Sequence, residues 1–380
     1  MSLPAVFMID GVPRNYAWGS RTAIPELRGE RPSGEPVAEL WFGTHTDAPS
    51  PIASSELTLD EVVDLPFLLK LLAADTPLSI QVHPTQAQAE AGFAREDAAG
   101  IAQDAPNRNY RDRNHKPELL TALTPFEALC GFRPIADTLA IIDAFELPEL
   151  RKVRALLGGA DGLRAAFTHL LHVQDPVPLV AAVVARAAAL ASEASCAGAA
   201  RAVSLTAEHF PGDVGVVVTL LLNYVRLEPG EAIFLGAGNV HCYLRGLGVE
   251  VMANSDNVLR AGLTPKHVDI DEVLAVTEFV ELADPRCADD GLGGHGHSYE
   301  VPVPDFGVFV LDLNPAEPSP TFEVPGPFIV LCTLGSVEIA RPTASVSLRR
   351  GQAAYVEWDE TQPLSVRGAG RIHVATINWA

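Results

Sequence analysis

The chain has 380 residues, a length that usually divides into two or three domains. Apolar residues make up 48% of it, which allows a large core and argues against wholesale disorder. With 27 basic and 48 acidic side chains the net charge is −21, so the surface repels nucleic acid and anionic membranes. We therefore expect no nucleic acid and no membrane as partner, and an anionic ligand would need a local group of cations.

The cysteines and the N-terminus bear on the cellular compartment. Cysteine occurs five times, at scattered positions and without a CxxC pair, as is usual in a reducing cytoplasm. The first residues lack the charged start and the apolar run of a signal peptide. The most apolar stretch, residues 179–191, contains Arg186 and is too short to span a bilayer. These features predict a cytoplasmic protein.

Residues 1–132 combine short strands with a few helical stretches. Alternation of apolar and polar side chains predicts strands at 37–45 and 78–84. The segments 58–72 (TLDEVVDLPFLLKLL) and 85–100 are predicted to be helical, the second with Thr85 as its N-cap. In the strand at 78–84, one face carries Leu78, Ile80 and Val82, and the other carries Ser79, Gln81 and His83.

The rest of the chain changes character twice. Residues 133–212 are rich in Ala and Leu at helical spacing, which predicts a helical insertion. Strand patterns return at 230–253, a helix is expected after the turn at Pro265, and a glycine-rich linker at 289–297 precedes a last, all-β block. We therefore predict three units: residues 1–132 with 213–288, an inserted unit of 133–212, and a C-terminal unit of 289–380.

Three segments are dense in polar residues within apolar surroundings: residues 81–83, 110–119 (YRDRNHKPEL) and 239–266. On a strand, positions i and i+2 point to the same side, which suits Gln81 and His83 as ligands of one ion. Glu118 and His241 could complete the set from other strands. Two imidazoles, a carboxylate and an amide oxygen suit zinc with an open coordination position, and would also accept iron or manganese. Taken singly, each segment also has an ordinary structural explanation. Gln81 and His83 would fit the surface face of a strand, residues 110–119 a solvated loop, and His241 a histidine of the core.

Together, and in this order along the chain, the segments resemble type I mannose-6-phosphate isomerase, a zinc-dependent family of the cupin superfamily. The resemblance runs from about Asn15 to Ile270 and is carried by NYAWGS, AELWFGTH, SIQVHP, YRDRNHKPE, LCGFRP and HCYLRGLGVEVMANSDNVLRAGLTPKHVDI. It implies a mainly β fold with a helical insertion: two cupin (jelly-roll) β-barrels plus an α-helical domain. Arg113 departs from the pattern, because the family usually has proline there, which concerns loop rigidity and not a ligand.

The family also implies a reaction and a cofactor. Mannose 6-phosphate and fructose 6-phosphate would be interconverted by moving a proton between C1 and C2 through a cis-enediol. One Zn²⁺ per chain would be bound by Gln81, His83, Glu118 and His241. The partner is therefore a small sugar phosphate, and we expect a monomer.

The active site implied by the resemblance contains Lys116, Glu250 and Arg260. We favour Glu250 as the base, since it follows His241 by nine residues in an alternating strand. Lys116 is the alternative base, because it lies two residues before Glu118. Arg260 is the best candidate for a cation beside the enediolate. Asp256 could assist ring opening, and an Asx turn in NSDN is an equally good explanation of it.

The phosphate group of such a substrate needs cations. Arg260 and Lys266 flank the AGLTP turn, six residues apart, and Ser79 shares the strand face of Gln81 and His83. In a chain of net charge −21, two cations beside these motifs favour phosphate binding over two solvated charges. Two other functions stay open: a cupin dioxygenase that uses iron, and a non-catalytic sugar-phosphate-binding cupin.

Overall fold

The computed structural model describes residues 3–378 except 293–294, 317–323, 325, 360 and 362–363. The strands among these residues are β1 (Val6–Ile9), β2 (Val12–Arg14), β3 (Glu39–Gly43), β4 (Phe67–Ala74), β5 (Ile80–Val82), β6 (Glu118–Ala122), β7 (Phe126–Phe132), β8 (Leu222–Leu227), β9 (Ala232–Leu235), β10 (His241–Ala253), β11 (Leu259–Gly262), β12 (Asp289–Gly291), β13 (Gly296–Tyr299), β14 (Gly307–Leu313), β15 (Phe328–Arg341), β16 (Ala344–Arg349), β17 (Ala353–Val356) and β18 (Ser365–Thr376).

The helices are α1 (Ala23–Arg28), α2 (Gln86–Ala98), α3 (Ile135–Phe145), α4 (Arg151–Leu157), α5 (Gly162–Leu171), α6 (Val177–Leu190), α7 (Ala197–His209), α8 (Gly215–Val218) and α9 (Ile270–Val276). Short 3₁₀ turns cover Leu59–Glu61, Pro148–Leu150 and Thr219–Leu221. Over the described ranges, no helix has the length and apolar composition needed to cross a membrane.

The first sheet contains β2 to β11 and is organised around β10. The first residues of β10 pair with β5 and β7, and its last residues pair with β4 and β6, all antiparallel. This central position brings one end of β10 next to Gln81 and the other end next to Lys70. Both ends of β10 therefore lie next to residues of the other strands that will prove to line one cavity.

The second sheet contains β12 to β18 together with β1, in the order β1-β17-β15-β18-β14-β13-β12, and β16 pairs with β15. The pairs are antiparallel, and among the described residues neither sheet closes on itself. The two sheets share one core, and its hydrophobic cluster includes Leu69 and Val249 of the first sheet and Ile329 and Ala375 of the second. The mainly β fold with an inserted helical segment is thus confirmed, whereas the exact domain boundaries stay a prediction.

The expected helix at 58–72 is wrong. The segment contains a 3₁₀ turn at Leu59–Glu61, Pro66, and then β4, which pairs with β3 on one side and β10 on the other. Leu69 and Leu71 pack toward the second sheet and Leu68 and Leu72 pack in other clusters, so both faces of the strand are buried. A strand buried on both faces is apolar without interruption, and this pattern is easily mistaken for a buried helix.

The other expected helices are confirmed. Helix α2 begins after Thr85, whose hydroxyl accepts the Gln88 N–H, while the Gln88 side chain accepts the Thr85 N–H. Helix α9 begins after Asp269, whose carboxylate accepts the Glu272 N–H. Helices α3 to α7 occupy the predicted insertion and pack in one core with Ile80 and Val82.

The glycine-rich segment at 289–297 is only in part the expected linker. Strand β12 pairs with β13, and β13 pairs with β14, so the segment forms the edge of the second sheet. Gly293 and Gly294 lie outside the described residues.

Candidate active site

Three side chains that commonly bind metals converge at one point of the first sheet. His83 follows β5, Glu118 begins β6 and His241 begins β10. Their ligand atoms lie within 4.8 Å of one another, and all three residues are buried. Nε2 of His83 is 3.4 Å from Oε1 of Glu118, and Nε2 of His241 is 3.5 Å from Oε2 of the same carboxylate.

The hydrogen bonds of the two imidazoles orient them as metal ligands. Nδ1 of His83 is 2.8 Å from the carbonyl oxygen of Asn257, and Nδ1 of His241 is 3.0 Å from that of Asn239. A carbonyl oxygen only accepts, so in the neutral rings Nδ1 carries the proton and Nε2 presents a lone pair. Nε2 of His83 is buried without a hydrogen-bond partner among the described residues. Two lone pairs thus face a carboxylate, an arrangement that fits a cation between them.

The surroundings of His83 and Glu118 determine their protonation states. Burial lowers the pKa of His83 to about 4, so its imidazole is neutral at neutral pH. Burial acts to raise the pKa of Glu118, but the nearby positive charge of Lys116 is the main influence against it, and that pKa lies well below its usual value. The Lys116 ammonium lies 3.2 Å from Oε1 of Glu118. Glu118 is therefore an anion that faces the neutral imidazole of His83.

Gln81 belongs to the same wall. It lies in β5 directly opposite His241, and on the other side of β5 it is opposite Arg260 of β11. Gln81, Glu118 and His241 all line one cavity of about 1240 Å³. The structure therefore brings His83, Glu118 and His241 together and places Gln81 on the cavity wall beside His241, while the full ligand set stays a prediction.

A second charged group lies further along β10. Glu250 is opposite Lys70 of β4, and the Lys70 ammonium donates to Oε2 of Glu250 at 2.9 Å. The Tyr243 hydroxyl donates to the other carboxylate oxygen at 2.8 Å. Burial raises the pKa of Glu250, and the charge of Lys70 opposes this rise. Lys70, Tyr243, Glu250 and Lys116 all line the cavity.

One part of the cavity wall is cationic. Arg260 and Lys266 line it together with Ser79 and with Arg111, which follows Tyr110 in the YRDRNHKPEL segment. Burial and the positive charge of Arg111 lower the pKa of Arg260, and burial with the charges of both arginines lowers that of Lys266. Three cations that repel one another around a cavity form a suitable site for an anion.

Asp256 also lines the cavity and lies close to His45. Nε2 of His45 is 3.6 Å from the Asp256 carboxylate, and Nδ1 accepts the Asp47 N–H at 3.2 Å. Burial lowers the pKa of His45, so the ring is neutral and its one proton is on Nε2, facing Asp256. These three residues also cluster as possible metal ligands, but a protonated Nε2 fits a hydrogen-bonded pair better than a cation site.

Comparison with known proteins identifies the family. Residues 6–135 match the model of the phosphomannose isomerase type I catalytic domain. Mannose-6-phosphate isomerase of Shigella flexneri is 38% identical over 382 residues, which cover 94% of this chain and 96% of that protein. The chain belongs to the mannose-6-phosphate isomerase family. The human mannose-6-phosphate isomerase is 29% identical, with 96% of both chains covered.

Solved structures of the mannose-6-phosphate isomerase family agree with this assignment. The apo form from Salmonella typhimurium superimposes with a TM-score of 0.89 at 35% identity, and covers 99% of this chain and 100% of its own. A zinc-bound holo form gives the same TM-score, identity and coverage. The expected family, its cupin fold and its enzymatic nature are therefore confirmed.

The sequence did not single out four residues of this site, namely Lys70, Arg111, Tyr243 and Asn257. Lys70 is the one charge in the apolar run FLLKLLAA, and a charge in a buried strand indicates a partner in the site. Arg111 lies in the same segment as Lys116 and Glu118, and no spacing or neighbouring pattern marks it as a residue that lines the cavity. The role of Asn257 depends on its carbonyl group, which no sequence pattern marks.

Proposed function

We propose that this protein is a zinc-dependent mannose-6-phosphate isomerase with one Zn²⁺ per chain bound by Gln81, His83, Glu118 and His241. The observation that carries the proposal is the convergence of two Nε2 lone pairs on the Glu118 carboxylate, beside a cavity with a cationic wall. Mixed nitrogen and oxygen ligands of this number suit zinc, and a solved relative is described as zinc-bound. The substrate would be mannose 6-phosphate or fructose 6-phosphate.

The reaction moves a proton between C1 and C2, and negative charge develops on two neighbouring oxygens. A zinc ion held by Gln81, His83, Glu118 and His241 would supply Lewis-acid stabilisation of this charge. Arg260, whose side chain is largely buried, supplies a fixed cation for the same charge. Because the cavity wall holds this cation in advance, little reorganisation is needed when the enediolate forms.

Glu250 is our proposed base, and Lys116 is the alternative. A base works best when its pKa lies near the working pH, and burial raises the pKa of Glu250 toward that range. Lys70 and Tyr243 hold the two carboxylate oxygens in place and leave further lone pairs for the proton. Lys116 contacts Glu118, so a proton accepted by the Lys116 amine would lie close to the metal ligands.

The cationic wall would receive the phosphate. Arg111 and Lys266 carry charges with which the phosphate can pair, and the Ser79 hydroxyl can donate a hydrogen bond to it. Asp256 would assist opening of the sugar ring, with the His45 Nε2–H directed at its carboxylate. Arg260, opposite Gln81, can pair with the phosphate and can also stabilise the enediolate.

A coupled assay of fructose 6-phosphate formation from mannose 6-phosphate, with and without a chelator, tests the proposal. We expect turnover in the zinc-loaded protein and its loss on complete metal removal. A dioxygenase or a non-catalytic binding protein would show no isomerisation, and this result would overturn the proposed activity. Turnover that survives metal removal would overturn the role of zinc.

Two substitutions separate metal binding from catalysis. Gln81→Ala removes a proposed ligand and should weaken zinc binding by at least about tenfold. Arg260→Ala should bind zinc as the wild type does and reduce kcat by roughly 10²- to 10³-fold, the usual effect of losing one donor to a developing oxyanion. Zinc titration and steady-state kinetics measure the two effects. Equal zinc affinity in Gln81→Ala and wild type would remove Gln81 from the ligand set.

We also propose that the protein is a cytoplasmic monomer, with a catalytic unit of 1–132 and 213–288, a helical unit of 133–212 and a C-terminal unit of 289–380. The five cysteines are free, and four of them are buried, which suits a reducing compartment. Light scattering of the purified protein tests the monomer, and limited proteolysis tests the boundaries.

A further inference from the structure

Two loops that neighbour the metal-ligating cluster are joined by side-chain hydrogen bonds. One loop, residues 110–116, precedes β6, and the other, residues 254–258, joins β10 to β11. Asn257, which is fully buried, is the centre of the junction. Its Oδ1 accepts the Arg111 N–H at 2.7 Å and the Asp112 N–H at 3.2 Å. Its Nδ2 donates to the carbonyls of Asp112 and Asn114 at 3.0 and 2.8 Å.

Asp112 completes the junction from the other loop. Its Oδ1 accepts the Ser255 hydroxyl at 2.9 Å and Nδ2 of Asn257 at 3.1 Å. Its Oδ2 accepts the Asp256 N–H at 2.7 Å. The hydrogen bonds described for residues 255–257 run to residues 83, 111, 112 and 114, apart from one inside the loop between Ser255 and Asn257. Residues 255–257 are therefore held by hydrogen bonds that involve side chains, and not by the hydrogen bonds of the sheet.

The same loop contacts the site at three points. The Asn257 carbonyl accepts Nδ1–H of His83 at 2.8 Å, and this bond directs Nε2 of His83 toward Glu118. Asp256, held through its own N–H, lines the cavity. Arg111, held by Oδ1 of Asn257, lines the cationic wall. The junction thus connects a metal ligand with two residues that face the substrate cavity.

We propose that Asp112 and Asn257 are positioning residues that hold His83 in its metal-binding orientation and align Asp256 and Arg111 with it. The proposal rests on the proposed zinc-dependent function. Partners that orient a ligating histidine typically contribute 10- to 100-fold to metal affinity, because they hold both the tautomer and the direction of the ring. Without Asn257 the two loops lose five hydrogen bonds at once, so the Asn257 carbonyl no longer has a fixed place beside His83.

The test measures zinc affinity by competition with a chelator, without substrate, in the full-length protein. We expect Asn257→Ala to bind zinc roughly 10- to 100-fold more weakly than the wild type. Asn378→Ala is the matched control, since its Nδ2 also donates to two backbone carbonyls, those of Val301 and Val303, in the C-terminal part of the chain. The control should bind zinc within about threefold of the wild type.

Cobalt substitution gives a readout that a merely structural role would not change. The visible absorption of bound Co²⁺ depends on ligand geometry, so the spectrum of Asn257→Ala should differ from that of the wild type, and the spectrum of Asn378→Ala should not. Should Asn257→Ala fail to fold, Asp112→Asn replaces it. An amide nitrogen in place of Oδ2 cannot accept the Asp256 N–H, so this variant loses that one hydrogen bond of the junction. This variant should show the same changes at about a tenfold loss of affinity.

Wild-type affinity together with an unchanged cobalt spectrum in the folded variant would overturn the inference and leave the proposed function standing. A wild-type protein that binds no zinc would overturn the proposed function itself, and the inference with it. The two failures are thus distinguishable from one set of titrations.

Discussion

At the scale of single residues, Lys70 is the clearest case of a side chain whose role follows from its environment. Its ammonium is buried 2.9 Å from Glu250 and 3.7 Å from Glu39, and lies 5.1 Å from the centroid of the Trp41 ring. Burial acts to lower the pKa of Lys70, but Glu250, Glu39 and Glu118 outweigh it and raise that pKa above its usual value. Lys70 is therefore a permanent cation that holds Glu250 in place.

Lys70→Met tests whether Glu250 is the base. Removal of the positive charge raises the pKa of Glu250 further, and a base acts only when it is deprotonated. The acid limb of the pH dependence of kcat/KM should therefore move to higher pH. The variant should also lose about 3 kcal/mol of stability, because a buried carboxylate loses its partner.

Tyr243→Phe is the control for this prediction, since it removes one hydrogen bond to Glu250 but no charge. Its acid limb should move less than that of Lys70→Met. If the limb stays in place in Lys70→Met, the base is not Glu250, and Lys116 becomes the candidate.

At the scale of elements, β10 serves two parts of the site and contains an irregularity between them. Its pairing with β7 shifts register between Tyr243 and Arg245, and Gly246 follows with φ of +138°. A Cβ at Gly246 would lie 2.6 Å from a ring carbon of Phe126 and 2.9 Å from the Phe126 Cα. Only glycine fits this close approach. His241 and Glu250 are nine residues apart and would point to opposite faces of a regular strand, so the register shift between them explains why both line the same cavity.

Gly246→Ala should therefore destabilise the protein more than the same change at an open position. Gly230→Ala is the comparison, because Gly230 also has positive φ, +95°, but a Cβ there would meet no heavy atom within 4 Å. We expect Gly230→Ala to cost about 1 kcal/mol through backbone strain, and Gly246→Ala about 2 kcal/mol more through crowding. Urea unfolding measures both, and equal losses would contradict the role of crowding.

At the scale of the whole molecule, the second sheet touches the active-site loop. Nε2 of His115, next to Lys116, is 2.9 Å from Oδ2 of Asp305, which precedes β14. The His115 N–H also donates to the Gln86 side chain at the start of α2. The loop that carries Lys116 is thus held by a helix of the first half and by a residue of the C-terminal region.

Asp305→Ala should reduce kcat/KM by about three- to tenfold and leave zinc affinity unchanged, because a small displacement of Lys116 affects the reaction but not the ligands. Asp312→Ala serves as control: Asp312 pairs with Arg371 on the neighbouring strand of the same sheet, away from the loop. Steady-state kinetics of both variants check the prediction. Equal kinetics of Asp305→Ala and wild type would show that the contact has no part in catalysis.

The sequence by itself determined the family, the mainly β class with a helical insertion, and the four candidate metal ligands. Local patterns were sufficient for the N-cap of α2, for the presence of a helix after Pro265 and for the alternation that places Gln81 on the face of His83. These features depend on residues close in the chain, or on motifs long enough to be specific.

Only the tertiary structure decided the rest. Strand β4 resembled a helix because it is buried on both faces, and burial on both faces depends on β3, β10 and the second sheet. The contacts of Lys70 with Glu250 and of Asn257 with Asp112 join residues 180 and 145 positions apart. Such pairs leave no local pattern, since their energy comes from a geometry that exists only once the chain has folded.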